Sequence, residues 1–305
     1  MKKLVFFSTL LVILLAFLIS NITSSKEPKK LISPLLSGEK VLGINQWLPK
    51  GVSDGQFNAP QVSAKGGFFI DTKSAKILYA KNQNKRLPIA SLVKVMTALI
   101  ALEHKNMEDK FIVSQRAADM EPDKMLLIAR EKLTLKELLA GIFLISANDA
   151  AEVIAEGANG SREEFIKLMN AKAKQLGMKD TFFVNPTGLD EDANNSYSTA
   201  YDLAILTRFL IRRFPQVVDI SKTVHIILPK TDTHQDYDMY SGINLLTTYP
   251  GVIGFKTGYT PASGLTLITL ARKDGHEVIG VLLGSEDRRD EAKELLDYSF
   301  NKLGI

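Results

Sequence analysis

Apolar and polar positions divide the chain into three stretches. Leu4–Ser25 carries no charge, and within it Leu4–Ile19 is apolar apart from Ser8 and Thr9. Lys2 and Lys3 precede this run, the pattern of an export signal. The run exceeds the usual h-region of about 7–15 residues, and no A-x-A-like cleavage site follows it. At about 1.5 Å per residue the run reaches about 33 Å, enough for a bilayer core. A retained signal-anchor is therefore expected over a cleaved signal peptide, with Lys2 and Lys3 inside and the rest of the chain outside the cytoplasmic membrane. From Ser24 to Pro60 the apolar pattern breaks up among Pro28, Pro34, Pro49 and Pro60 and Gly38, Gly43, Gly51 and Gly55, which reads as a linker. The expected organisation is a signal peptide or signal-anchor over 1–25, a linker over 26–59 and one folded domain over 60–305.

Within the third stretch, Gly67–Ile70 and Ala75–Tyr79 flank the turn residues Asp71–Ser74 and predict a hairpin. Ile89–Ala101 is apolar nearly all round and predicts a buried helix. Thr134-Leu-Lys-Glu137 is a capping box opening an apolar helix to Ile145, and Ser161-Arg-Glu-Glu164 opens another that closes near Gly177. Thr199–Phe214 predicts a third helix, stopped by Pro215. Short strand-like pieces follow at Val224–Leu228 and Gly251–Lys256. Leu265–Ala271 then pairs with Glu277–Leu283 through Lys273-Asp-Gly275. A last helix is expected from about Asp287 to Leu303. Strands at both ends of the domain with helices between them predict an α+β fold: an antiparallel sheet flanked by helices, with an inserted helical lobe.

Composition narrows the chemistry. The chain lacks Cys, which excludes a thiol nucleophile and cysteine-ligated metal. The net charge of +4 resides in residues 1–58, where seven Lys face Glu27, Glu39 and Asp54; the remainder is balanced and gives no support to a nucleic-acid partner. His104, His225, His234 and His276 are scattered, with no metal-binding spacing and no glycine-rich phosphate loop. Neither a metal nor a cofactor is expected.

Three motifs remain. Ser91-Leu-Val-Lys94 is followed 55 residues later by Ser146-Ala-Asn148 and 110 residues after that by Lys256-Thr-Gly258. S-x-x-K also occurs at Ser37–Lys40 and Ser299–Lys302, but only Ser91 opens a buried apolar helix and is trailed by the other two motifs. Order and context carry the weight, since Ser146 or Asn148 taken alone also fits a helix cap. S-x-x-K, S-D-N and K-T-G in this order mark penicillin-binding proteins and class A β-lactamases. A Ser hydroxyl becomes a nucleophile when a base takes its proton. Lys94, one helical turn on, is such a base once burial and a nearby positive charge keep it neutral.

The chain resembles the serine D-alanyl-D-alanine carboxypeptidases, the low-molecular-weight penicillin-binding proteins. Besides the triplet, the phrases APQVSAKGGFFID, KRLPIASLVKVMTAL, FVNPTGLD, YSTAYDLA and YPGVIGFKTGYTPASG carry the likeness from about Pro60 onward. The resemblance implies a β-lactamase/transpeptidase-like fold and removal of the terminal D-Ala from peptidoglycan stem pentapeptides through a Ser91 acyl-enzyme. It also implies covalent inhibition by β-lactam antibiotics. By the same likeness Ser146 relays a proton to the leaving amine and Asn148 holds Lys94 and the substrate amide. The backbone N–H groups of Ser91 and Tyr259 form the oxyanion hole, and Lys256, Thr257, Gly258 and Arg288 bind the substrate, its carboxylate falling to Lys256, Thr257 and either Arg288 or the adjacent Arg289. Lys256 would also supply the positive charge beside Lys94. Many of these enzymes carry a second β-domain and a C-terminal amphipathic anchor. This chain stops at Ile305, so the membrane contact is expected at the N-terminal segment. The rivals are a D,D-endopeptidase acting on crosslinks and an inactive wall-binding scaffold. A β-lactamase is disfavoured because no E-x-x-L-N supplies a deacylating Glu and S-A-N replaces S-D-N.

Overall fold

The computed structural model describes residues 59–190 and 195–305. The expected N-terminal apolar run and nearly all of the linker lie outside the described residues. Among those described, no helix is long and apolar enough to cross a membrane.

The chain starts with β1 (Gly66–Asp71), β2 (Ile77–Lys81) and β3 (Leu87–Pro88), then enters a 3-10 turn, Ala90–Val93, that runs into α1 (Lys94–His104). Next come β4 (Lys110–Ile112), α2 (Gln115–Ala118), β5 (Lys132–Thr134), α3 (Leu135–Leu144), α4 (Asn148–Gly157) and α5 (Arg162–Gln175). The middle of the chain holds β6 (Tyr197–Ser198), α6 (Ala200–Arg213), α7 (Gln216–Ser221), β7 (His225–Leu228), β8 (Tyr237–Tyr240) and α8 (Leu245–Thr248). It closes with β9 (Val252–Thr260), β10 (Gly264–Lys273), β11 (His276–Ser285) and α9 (Arg288–Leu303).

The main sheet is antiparallel with order β2-β1-β11-β10-β9, so strands from both ends of the domain meet and β9 lies at an edge. Both faces are covered, which is why β1 is buried at every position. Successive side chains point to opposite faces. Phe68 meets Tyr201 of α6 edge-to-face on one side, while Phe69 packs with Leu295, Leu296 and Phe300 of α9 on the other. The helices between β3 and β6 form the expected inserted lobe, built on α1 and α3, whose residues are almost all buried.

Local signals explain most boundaries. Thr134 and Glu137 form the capping box at α3, and Ser161 and Thr199 cap α5 and α6 with their hydroxyls. Pro215 ends α6 and serves as N-cap of the short α7. Three of the differences from the expected boundaries have a clear local cause or bear on the motifs. β2 begins at Ile77, because Ala75 takes φ 60° and its N–H bonds Asp71 O, prolonging the turn. β9 continues to Thr260, four residues past the expected end, so Lys256-Thr-Gly258 lies inside an edge strand. Ser91 sits in the 3-10 turn before α1, because Ala90 takes φ 47° and Leu92 N–H bonds Ile89 O three residues back.

Candidate active site

The S-x-x-K turn brings Lys94 Nζ to 2.9 Å from Ser91 Oγ. The same amine donates to Asn148 Oδ1 and to the Thr187 carbonyl, each at 2.7 Å. Lys94 has no solvent exposure, and all three acceptors are neutral. Burial without a carboxylate partner penalises the ammonium, and the amine's pKa falls to about 7. Asp123, Asp149 and Glu152 act in the opposite direction, each favouring the ammonium. Desolvation is thus the cause of the depression. The expected contribution from Lys256 appears at the other lysine: the charges of Lys94 and Arg288 add to burial in holding Lys256 well below its ordinary value.

Asn148 opens α4, yet neither it nor Ser146 caps that helix; the N-cap is Ala147, without a side-chain bond. Asn148 N–H donates to Asp123 O at 2.7 Å and its Nδ2 donates to Pro122 O, which aims Oδ1 at Lys94. Asp149 is fully buried and accepts from the backbone N–H groups of Met125, Leu127 and Ala150, pinning the loop before α3 against α4. Ser146 adopts φ 63° between α3 and α4. Its buried Oγ has no hydrogen-bond partner among the described residues. Buried hydroxyls are normally bonded, so an unpartnered one is the exception.

The opposite wall is β9. Gly258 permits its approach: a Cβ there would stand 2.9 Å from Ser91 N and 2.7 Å from Thr266 Oγ1. Thr266 Oγ1 in turn donates to Ile89 O at 3.3 Å, tying β10 to the start of the Ser91 turn. Lys256 is 1% exposed and donates to Thr257 O at 2.6 Å. Arg288, at the start of α9, reaches back to the carbonyls of Gly258 at 2.5 Å and Thr266 at 3.3 Å. Arg289 points away and pairs with Asp290 at the surface. Of the two arginines only Arg288 touches the K-T-G strand. Tyr259 is 62% exposed, so any contribution to the floor of the cleft comes from its backbone.

Two supports were not assigned from the sequence. The turn Asn185-Pro-Thr-Gly188 supplies the carbonyl that holds Lys94. Asn185 Oδ1 shapes it by accepting from Thr187 N, Thr187 Oγ1 and Gly188 N. Gly188 has φ 84°, and a Cβ there would lie 2.0 Å from Ala90 O, so the turn lies hard against the Ser91 turn. The Pro122–Asp123 backbone supplies the other support. Asn-Pro and a following Gly were a readable turn signal, whereas nothing local in Glu121-Pro-Asp123 points to Asn148.

Sheet, inserted lobe and cleft together define a penicillin-binding DD-peptidase with the β-lactamase/transpeptidase-like fold. The model of the D-alanyl-D-alanine carboxypeptidase family matches residues 54–287, and the chain belongs to that family. It is 36% identical to the Bacillus subtilis D-alanyl-D-alanine carboxypeptidase DacF over 285 residues, covering 90% of this chain and 72% of that one. Among solved structures, it superposes on a D-alanyl-D-alanine carboxypeptidase from Mycobacterium tuberculosis with a TM-score of 0.76 at 29% identity, covering 83% of this chain and 96% of that one. For a Streptomyces DD-transpeptidase the TM-score is 0.74 at 28% identity, with 80% and 99% covered.

Proposed function

We propose that this chain is a serine-type D-Ala-D-Ala carboxypeptidase that trims the terminal D-Ala from peptidoglycan stem pentapeptides. The supporting observation is the buried Lys94 amine, 2.9 Å from Ser91 Oγ and with its pKa lowered to about 7. A base with that pKa is half neutral at pH 7 and so takes up a proton readily. Ser91 Oγ attacks the carbonyl carbon between the two D-alanines while its proton passes to Lys94. The oxyanion is held by the N–H groups of Ser91 and Tyr259. Ser146 relays that proton from Lys94 to the leaving amine, the C–N bond breaks, free D-Ala departs from a Ser91 ester, and Lys94 is left neutral again. Water then attacks that ester, giving up its proton to the same base, and restores Ser91. Lys256, Thr257 and Arg288 receive the substrate carboxylate, Gly258 lets their strand approach Ser91, and Asn148 holds Lys94 and the substrate amide.

A β-lactam presents the same carbonyl and carboxylate to this cleft and acylates Ser91. Intact-mass measurement after penicillin treatment is expected to show one adduct, absent in Ser91→Ala. An adduct that persists there, or maps to Ser37 or Ser299, overturns the assignment. The catalytic domain works outside the cytoplasmic membrane, held there by residues 4–25 as a retained anchor. N-terminal sequencing of the mature protein tests this: a start near Ser24–Lys26, with the protein in the soluble secreted fraction, means a cleaved signal peptide instead.

A further inference from the structure

Lys94, Lys256 and Arg288 gather at the floor of the cleft. Three acids act on Lys94, and they differ in what else they do. Asp149 is occupied by the backbone N–H groups of Met125, Leu127 and Ala150. Glu152 is 1% exposed and paired with Arg162 at 2.9 Å. Asp123 is exposed, and its carboxylate has no hydrogen bond and no ion pair among the described residues. Its neighbour Lys124 is paired with Glu121 and does not neutralise it.

The backbone of Asp123 is nonetheless fixed. Its carbonyl accepts Asn148 N–H at 2.7 Å, and the preceding Pro122 carbonyl accepts Asn148 Nδ2. Downstream, the same loop is held by Asp149 at Met125 and Leu127, by Gln235 Nε2 at the Leu126 carbonyl and by Glu131 at Ile128 N–H. A solvent-facing carboxylate is thus mounted on a pinned loop beside Asn148, close enough to both walls that its charge reaches Lys94 on one and Lys256 on the other. Its backbone bonds the same Asn148 that holds Lys94, which places Asp123 on the Lys94 side of the cleft.

We propose that Asp123 is a specificity-determining residue: it binds an ammonium group on the side chain of the residue preceding the two D-alanines and so selects stem peptides with a free amine there. The inference rests on the carboxypeptidase reading above. A substrate whose carboxylate goes to Lys256 and Arg288 and whose amine goes to Asp123 meets opposite charges at two separate points, which fixes its direction along the cleft. A purely cationic cleft gives no such discrimination.

Three pentapeptides test this, identical except that the third residue is lysine, ε-N-acetyl-lysine or ε-N-succinyl-lysine. The full-length protein is assayed for D-Ala release, and the ratio of kcat/KM values is the readout. An exposed ion pair corresponds to a preference of about fivefold. The wild type is expected to favour the free amine over the acetylated peptide by about that factor, less at high salt, and to disfavour the succinylated peptide. Asp123 has φ 49°, a conformation that Asn also tolerates, so Asp123→Asn keeps the turn and is expected to bring the ratio to about one. Asp123→Lys is expected to turn the preference toward the succinylated peptide. A change in Lys94 basicity alters all three peptides together and leaves the ratios intact. The same ratios can be read from how far each peptide slows labelling by a fluorescent penicillin, which requires binding but no turnover. Equal use of the peptides by the wild type, or ratios unmoved in both variants, overturns the proposal while leaving the carboxypeptidase reading in place. Absence of both D-Ala release and penicillin labelling overturns that reading itself.

Discussion

Helix α1 has a buried lysine against each end, and the two are treated differently. Near its C-terminal end, Lys172 from α5 is 7% exposed and pairs with Glu103 at 2.8 Å. At its N-terminal end, Lys94 is fully buried and bonds only a hydroxyl, an amide oxygen and a backbone carbonyl. A buried charge needs a paired charge to remain ionised cheaply. Lys172 has one and acts as a strut between helices. Lys94 has hydrogen-bond acceptors that fit either protonation state, and burial shifts it toward the neutral amine. Glu152–Arg162 and the Glu277 carboxylate shared by Arg212 and Arg272 follow the Lys172 pattern, while Lys256 follows that of Lys94. Within one fold, paired buried charges hold the lobe and sheet together, and the buried amines without a carboxylate face the cleft.

The sharpest break of this contrast is Lys94→Arg. A guanidinium remains protonated in any environment. Acylation by penicillin is expected to fall about 10³-fold or more, the scale of losing one member of a cooperating catalytic unit. With Lys94 as the proposed neutral base, the wild-type acylation rate should rise with pH through a midpoint near 7. The variant should lack that limb. Stopped-flow acylation across pH measures both, and a rate unaffected by the substitution would make Lys94 a structural ion.

At the other end of the helix, Glu103→Ala leaves Lys172 buried without its partner. The expected cost is about 3 kcal/mol of unfolding free energy, read from denaturant melts. The nine-residue separation of Lys94 and Glu103 along α1, about 14 Å of helix rise, predicts that the folded fraction acylates at the wild-type rate. A loss of acylation with stability intact would contradict the division of roles.

How much of this was legible in the sequence depends on how local each signal was. The box Thr134–Glu137, the caps Ser161 and Thr199, and the β10–β11 turn at Asp274-Gly275 are each specified by residues a few positions apart, and each formed as expected. Helix α4 escaped notice because it starts inside the S-x-N motif, which reads as a loop, and carries no side-chain cap. The order Ser91, Ser146, Lys256 pointed to the cleft through family resemblance. Its physical cause is long-range: Gly258 against Ser91 N, and Gly188 against Ala90 O. Those approaches depend on the β2-β1-β11-β10-β9 order, which no local pattern encodes. The choice between Arg288 and Arg289 also needed the fold, because only packing of α9 on the sheet decides which guanidinium reaches β9.

Asn148→Asp gives Lys94 the kind of carboxylate partner that Lys172 has in Glu103. The new carboxylate would stand where Oδ1 now lies 2.7 Å from Lys94 Nζ. An anion at that distance stabilises the ammonium and raises its pKa, by about 1–3 units for such neighbours. The sign follows: less neutral amine at pH 7, hence slower acylation by about thirtyfold, with the rate recovering as pH rises. The acid limb should move upward rather than vanish, which distinguishes this variant from Lys94→Arg. A limb that stays near 7 would show that Lys94 is not the group it reports.

The smallest effect concerns the carboxylate that the cleft awaits from its substrate. Lys256 and Arg288 have backbone carbonyls as their hydrogen-bond acceptors among the described residues. Burial lowers both pKa values, so each gains when a carboxylate arrives. Arg288→Ala should therefore slow turnover of a peptide ending in D-Ala-D-Ala more than that of the same peptide amidated at its C-terminus. With Lys256 still present the selective loss should be about tenfold, below the roughly thirtyfold that marks the low end for removing one partner of a fully buried charge pair. Arg289→Ala removes only a surface contact with Asp290 and is expected to leave both rates unchanged. The comparison is made on kcat/KM for the two peptides in parallel. Equal slowing of both by Arg288→Ala would mean that the arginine braces β9 through Gly258 and Thr266 without reading the carboxylate, leaving that task to Lys256 and Thr257.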